Sequence, residues 1–333
     1  MTLAKKIVLF VWSLMLLAIG IVSFILIKQS RDDKQLEKIT MVTALPDVKN
    51  FLTLNKVKEA LNKERIELDV QFSGGDFSKN HERVQDGTVD AKLDSHLPWS
   101  TFQSLRQKPN ATPNIEVIMP LYFTQFGMYK LNRNNLEYNN LADRLIKMLI
   151  PREETQKTLA LRFLEKENLI TRKPERTDLN LVIQPNGKKR LFQLTLDDFT
   201  INSTNLQIDD TSDILNDEMI TRLRKSRNEP LYADIMLNYP GVVRSKVGQS
   251  LDELNVLKKM DLPEDQNDPI WVFLISLIVK KDKVNESKIQ KLKKVLSKPE
   301  ILQSYWNEHR ENTIGFKPNE LQQITDKINS YFV

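Results

Sequence analysis

The chain has no cysteine in 333 residues. That excludes a disulfide framework, a thiolate metal site, a thiol nucleophile and a lipidated N-terminal cysteine, the usual anchor of Gram-positive binding proteins. Secreted animal domains of this size usually carry disulfides, so the absence favours a bacterial exported protein or an intracellular one. Glycine is scarce, with 9 residues, and neither G-x-G-x-x-G nor G-x-x-x-x-G-K-[ST] occurs, which leaves nucleotide binding without support. The three histidines, His81, His96 and His309, lie far apart without ligand spacing, so neither a metal nor a cofactor is expected. There is no G-x-S-x-G or Ser/His/Asp motif. Asp197-Asp198 and Asp209-Asp210 read as turn and cap residues rather than as paired catalytic carboxylates. The chain therefore reads as a non-enzyme. No internal repeat of 20–50 residues is visible.

What is present is an ordinary globular composition, 40% hydrophobic and 28% charged, with room for two lobes. The net charge of +5 comes from Lys and Arg interleaved with Asp and Glu, so no basic stripe for nucleic acid stands out. The strongest local signal is Ile7 to Ile27, uncharged throughout and flanked by Lys5, Lys6 and Lys28. At ~1.5 Å per residue it reaches about 30 Å, the hydrocarbon thickness of a bilayer. It is longer than the apolar region of a cleaved signal, and Ala18-x-Gly20 falls at its middle rather than its end. An uncleaved signal anchor is expected, with a cleaved signal as the alternative. The flanking cations do not choose an orientation, but long hydrophilic domains translocate largely regardless of charge. The body is therefore expected outside the cell membrane, on a single-pass tether. Ile270 to Val279 is the next most apolar run and is too short to span; it reads as a buried strand.

Behind the linker at 29–37, strands alternate with helices. Ile39–Ala44, Ile66–Phe72, a short strand from Val89, Ile115–Met119, Phe126–Leu131, Leu206–Asp209 and Tyr232–Leu237 read as strands. Val48–Lys63, His81–Val84, Leu141–Leu149, Glu153–Glu167, Ile214–Lys225, Glu286–Glu308 (interrupted near Pro299) and Leu321–Tyr331 read as helices. Leu179–Ile183 and Arg190–Leu196 flank Pro185-Asn186-Gly187 and predict a β-hairpin. Such alternation predicts an α/β protein with parallel sheets, whose ligands bind outside the carboxyl ends of strands.

Several stretches, taken in order, resemble the NlpA family, the methionine-binding lipoproteins of bacterial ABC importers. Asp86-Gly87-Thr88-Val89-Asp90-Ala91 followed by His96-Leu97-Pro98-Trp99 is similar to the family's D-G-x-x-D-A…H-x-P-Y segment. Phe126-Gly127-Met128-Tyr129 resembles its M-G-L-Y strand. Ile150-Pro151 and the helix ending Leu164-Glu165-Lys166-Glu167-Asn168-Leu169-Ile170 resemble its I-P-N-D…L-Q-K-A-G-L-I stretch. Asn205-Leu206-Gln207-Ile208 is similar to N-L-K-I, and Asn238-Tyr239 stands where the family has N-G-N-Y. Lys298-Pro299-Glu300 and Thr313-Ile314-Gly315-Phe316 fall at its closing helix and final strand.

The resemblance implies an α/β, two-lobed periplasmic-binding-protein-like fold, here with an N-terminal transmembrane helix. By position, residues 1–38 are anchor and linker, 39–124 plus 242–318 lobe one, 125–241 lobe two and 319–333 a helical extension. Crossovers are expected near Leu121–Gly127 and Tyr239–Val243. It further implies a solute-binding subunit for an amino acid or short peptide, partnered by a membrane permease and an ATPase. The alternative is a membrane-tethered sensor or interaction domain on the same fold without transport.

Candidate ligand residues follow from those positions. Asp94, His96 and Trp99 stand for the cleft, or for a cap, a structural histidine and a packed ring. Asn238 is a ligand amide or a turn residue before Pro240. Tyr122 and Phe123 form an apolar wall near the first crossover. Gln156 and Arg162 reach ligand or lie on a solvated helix face. The family's carboxylate-holding Arg is replaced by Leu159, with Arg162 or Arg152 as substitutes, and the first Asn of N-G-N-Y by Met236. The family's D-A-N-F-F-Q-H becomes Asp90-Ala91-Lys92-Leu93-Asp94-Ser95-His96, exchanging an aromatic wall for charge. These departures argue against methionine as the solute but not against the fold.

Overall fold

The computed structural model describes residues 36–107, 113–141, 143–174, 181–183, 189–191, 194–210, 216–241, 243 and 253–331. The expected anchor at Ile7–Ile27 and the Pro185-Asn186-Gly187 turn lie outside the described residues. Among the described residues no helix is long and apolar enough to cross a membrane. In chain order the strands are β1 (Glu37–Thr43), β2 (Ile66–Phe72), β3 (Ala91–Ser95), β4 (Ile115–Thr124), β5 (Gly127–Leu131), β6 (Ile146–Leu149), β7 (Ile170–Arg172) and β8 (Leu181–Ile183). Then follow β9 (Lys189–Leu191), β10 (Phe199–Ile201), β11 (Leu206–Asp209), β12 (Ile235–Asn238), β13 (Leu254–Lys259), β14 (Ile275–Lys280) and β15 (Thr313–Ile314). The helices are α1 (Pro46–Leu52), α2 (Asn55–Lys63), α3 (Phe77–Asp86), α4 (Leu97–Gln107), α5 (Glu154–Lys166), α6 (Asn216–Arg224), α7 (Ser287–Leu296), α8 (Pro299–His309) and α9 (Leu321–Ser330).

Two mixed sheets carry most of these strands, and β10-β7 and β8-β9 form separate two-stranded pairs. The first runs β15-β4-β14-β3-β1-β2 and the second β11-β6-β12-β5-β13. β1 is parallel to β2 and β3, and β6 is parallel to β11 and β12. β14 and β5 instead run antiparallel to both of their neighbours. The expectation of parallel sheets holds for the helix-connected strands. It fails where the chain passes straight from one sheet to the other, because β4 enters β5 through Gln125 and Phe126 alone. β14 is buried at Ile275 to Val279 and lies in the middle of the first sheet, so it reads as an unbroken apolar run. β8 and β9 pair antiparallel with Leu181 opposite Leu191, the predicted hairpin.

Other boundaries move for identifiable reasons. Val48–Lys63 and Glu286–Glu308 are each two helices, because a turn at Thr53-Leu54 and Pro299 at the start of α8 divide them. The apolar spacing continues across each break because both halves rest on one sheet. The expected helix at Leu141–Leu149 ends instead in β6, where pairing with β11 and β12 outweighs a short helical spacing. Of Ile270–Val279, the first half is a 3-10 turn at Pro269–Phe273, set by the Pro269 ring and by Asp268 Oδ1 accepting the Ile270 N–H at 2.9 Å. Leu254–Lys259, not read as an element, is β13 and pairs with β5 in the second sheet. Not all residues after 242 therefore return to the first sheet. The chain recrosses between Lys259 and Pro269, and not at Tyr239–Val243.

The C-terminal helix is part of the first layer. Leu321, Ile324 and Ile328 of α9 are buried against β4. β15 pairs only with Phe123 and Thr124, and α9 covers β4 farther along. There the Asn329 side chain accepts the Val117 N–H at 3.1 Å and donates to its carbonyl at 2.8 Å, imitating a strand neighbour. Trp306 donates its indole N–H to the Leu121 carbonyl at 2.7 Å and lies over Gly315, where a Cβ would come within 2.3 Å of the ring.

Candidate functional site

Two buried polar regions compete for the role of site. The first surrounds β3, every residue of which is buried beneath α3 and α4. Lys92 has no exposure at all. Its Nζ donates to Ser95 Oγ at 2.6 Å, lies 3.4 Å from Asp94 Oδ1 and sits 4.8 Å over the Trp99 ring. Asp94 Oδ2 accepts from Asn80 Nδ2 at 2.7 Å. Ser95 and Ser100 hydroxyls are 3.1 Å apart, and His81 Nε2 is 3.0 Å from Ser104 Oγ. Burial lowers the Lys92 pKa, with Asp94 opposing it. Burial first, and then the Lys92 charge, depresses His81 to about 2 and His96 to about 3, so both rings are neutral.

The second region is the seam between the sheets. β6 and β12 are parallel neighbours with Leu149 beside Met236, and just past their ends the Glu153 carboxylate bears on the Tyr239 hydroxyl. Glu153 is the N-cap of α5, and its Oε2 accepts the Gln156 N–H at 2.9 Å and the Thr155 hydroxyl at 2.5 Å. Its Oε1 is buried and unpartnered, and so are Gln156 Oε1 and the Tyr239 hydroxyl. Phe126, in the passage from β4 to β5, meets Tyr239 edge-on at 5.0 Å. From the first sheet come Tyr122, 5.0 Å from Tyr305, and beyond it His309, 4.6 Å from the Tyr305 ring and 4.0 Å from Asp47. Burial pushes Tyr122 up to about 12. Burial, reinforced by Glu153, raises Tyr239, and burial with Tyr122 and Asp47 raises Tyr305. All three hydroxyls stay protonated near neutrality.

Neither a family model nor a curated protein sequence matches this chain. Solved structures do. A YaeC-family lipoprotein from Enterococcus faecalis V583 superposes with TM-score 0.57 at 17% identity, covering 83% of this chain and 98% of that one. An ABC transporter periplasmic substrate-binding protein from Coxiella burnetii gives TM-score 0.59 at 18% identity, with 83% and 99% covered. The methionine-binding protein MetQ gives 0.58 at 13% identity, with 84% and 98% covered. The shared feature is the fold. It is the architecture of the lipoproteins that the sequence motifs resemble, carried here on a diverged sequence. These neighbours are described as lipoproteins and binding proteins, not as enzymes.

The expected residues divide between the two regions. Asp94, His96 and Trp99 belong to the polar interior of the first layer. His96 Nδ1 accepts the Trp99 N–H at 3.2 Å and its ring meets Phe273 edge-on at 5.0 Å, while Trp99 is flanked by Phe77 and His81. Phe123 is fully buried in β4, opposite Ile314. Asn238 is buried too, accepting the Tyr239 N–H at 2.8 Å and lying 3.7 Å from Met219 Sδ. Tyr122 packs on Tyr305 and bears on Tyr239, and Gln156 lies in the first turn of α5, its N–H held by Glu153. Arg162 lies farther along α5, in a groove of about 560 Å³ shared with Asp268 and Ile270, where Glu165 holds it at 3.3 Å and Arg172 at 2.8 Å. Leu159, at the family's Arg position, is entirely buried, and Arg152 is exposed. Glu153, Tyr239 and Tyr305 are seam residues not singled out from the sequence. Glu153 follows Ile150-Pro151 and Tyr239 follows Asn238, so motif adjacency pointed near both; nothing local marked Tyr305.

Proposed function

We propose that this chain is an extracytoplasmic solute-binding protein that delivers a small amino compound, an amino acid or short peptide, to a membrane permease and its ATPase. The observation that carries the reading is the seam: three buried polar atoms without partners, on Glu153, Gln156 and Tyr239, opposite aromatic rings from the other sheet. Buried polar groups are normally paired, and leaving one unmade costs about 1–3 kcal/mol. A ligand that satisfies them gains that free energy only while both sheets close on it, which is the basis of a hinge closure. The neighbours' descriptions as substrate-binding and methionine-binding proteins support the same role. The two lobes are then the two sheets with their helices, joined through Gln125-Phe126 and the 260–269 passage. Ile7–Ile27 serves as the tether in place of lipid. Two features favour a tethered interaction domain as the second reading: the loss of the carboxylate-holding Arg at Leu159, and the engagement of Asn238 by its own neighbours.

Thermal unfolding of the detergent-solubilised full chain, against a panel of amino acids, dipeptides and amines, tests the proposal. A solute at a hundred times its Kd stabilises the folded state by about 2.7 kcal/mol, and one compound or a related group should do so. A flat response across the panel rejects solute binding in favour of the interaction domain.

A further inference from the structure

The chemistry of the seam is one-sided. A carboxylate oxygen and an amide oxygen only accept hydrogen bonds, and a tyrosine hydroxyl does either. Glu153 Oε1, Gln156 Oε1 and the Tyr239 hydroxyl therefore call for donors from whatever lies between them. Glu153 Oε2 is already committed to the Gln156 N–H and the Thr155 hydroxyl, so the carboxylate is held rigidly with its second oxygen free. The position from which a guanidinium would balance that charge is Leu159, in the apolar core. Arg162 is turned to Glu165 and the Asp268 groove. The rings are Tyr239 with Phe126 edge-on, and Tyr122 with Tyr305. The charges acting on the three tyrosine hydroxyls come from Glu153, Asp47, Asp94 and Glu308, all carboxylates. Aromatic faces combined with a fixed, partly desolvated carboxylate favour an organic cation.

We infer that the seam selects its solute by a cationic amino group, held by Glu153 Oε1, Gln156 Oε1 and the Tyr239 hydroxyl beside the tyrosine rings, and has no buried cation to pair with a solute carboxylate, the neighbouring Arg152 being exposed. The ligand class is a small amine with net positive charge: an amino-acid amide, a basic amino acid, a short peptide that is basic or C-terminally blocked, or a diamine. This rests on the solute-binding reading above and adds the polarity of recognition, inverted relative to a site built around an arginine.

Isothermal titration of the detergent-solubilised full chain with two matched sets decides it. The sets are methionine, methioninamide and N-acetylmethionine, and lysine, lysinamide and Nα-acetyl-lysine methyl ester. In at least one set the amide should bind at least as tightly as the parent acid. N-acetylmethionine, which keeps the carboxylate and loses the amine, should fall by about tenfold or more, the scale of a lost charge-assisted hydrogen bond. Glu153→Gln keeps an acceptor at the cap and should weaken amide binding by a similar factor. Tyr239→Phe should weaken it less and leave the fold intact, which keeps the test independent of misfolding. A parent acid binding more than tenfold tighter than its amide, or N-acetylmethionine binding as well as methionine, overturns the inference. If amines fail while a neutral or anionic solute of the wider panel binds, the inference falls and solute binding stands. If nothing binds, both fall.

Discussion

The β3 interior and the seam are both buried, polar and carboxylate-bearing, and they differ in how many internal pairs their side chains make. Around β3 the groups largely answer one another: Lys92 has Ser95, Asp94 and the Trp99 ring, Asn80 has Asp94, and His81 has Ser104. Such a network holds α3 and α4 on the sheet, although Asn80 Oδ1, His81 Nδ1 and Thr101 Oγ1 around it are also buried without partners. In the seam, Glu153, Gln156 and Tyr239 each bury one polar atom that has no partner. Residue type did not separate the two, because Asp94 and His96 look at least as functional as Glu153 and Tyr239.

The largest effect should come from breaking the β3 network. Lys92→Ala leaves Asp94 buried without its cation and should cost about 3–5 kcal/mol in denaturant unfolding. Lys92→Met combined with Asp94→Leu should recover most of that loss, because the pair as a unit contributes little net stability. A single substitution costing under about 1 kcal/mol would show that Lys92 is solvated.

Acid should come next. His81 and His96 are held neutral when folded, well below the ordinary imidazole range, while the unfolded chain protonates both near pH 6.5. Below that pH the unfolded state binds more protons, so stability is full above pH 6.5 and falls as pH drops toward the folded values. The slope is about 1.4 kcal/mol per pH unit for each ring. Unfolding followed from pH 7 to pH 5 should show this loss, and His81→Gln should remove about half of it. A flat profile over that interval means that one or both rings reach solvent.

The smallest stability effect belongs to the seam. Tyr239→Phe removes a hydroxyl with no partner, so it should leave stability unchanged within about 1 kcal/mol or raise it slightly. Ligand affinity should nevertheless fall. If it costs as much as Lys92→Ala, the hydroxyl has a structural partner and the contrast between the two regions disappears.

Much of the architecture was legible locally. β1, β2, β11 and the hairpin of β8 and β9 follow from apolar runs and turn residues, and α9 from its spacing. The short elements were not. β6 and β13 carry four to six residues each, and their identity as strands comes from neighbours such as β12 and β5 rather than from their own pattern. The 3-10 turn before β14 required Asp268 to face Ile270, which no periodicity reveals. Of the candidate residues, Tyr122 bears on Tyr239, while His96 and Trp99 are used locally between the end of β3 and the start of α4.

By itself the sequence determined the alternation of strands and helices, an apolar N-terminal segment of bilayer length, the absence of cysteine and hence of thiol chemistry, and an ordered set of motifs whose fold the structure shares. Those are properties of composition and short-range spacing. Only the tertiary structure decided which buried polar residues satisfy each other and which do not, where the chain recrosses, and that Glu153 and Tyr122 both bear on the Tyr239 hydroxyl. Hydrogen-bond satisfaction is a sum over partners far apart in the chain, so no window of sequence contains it.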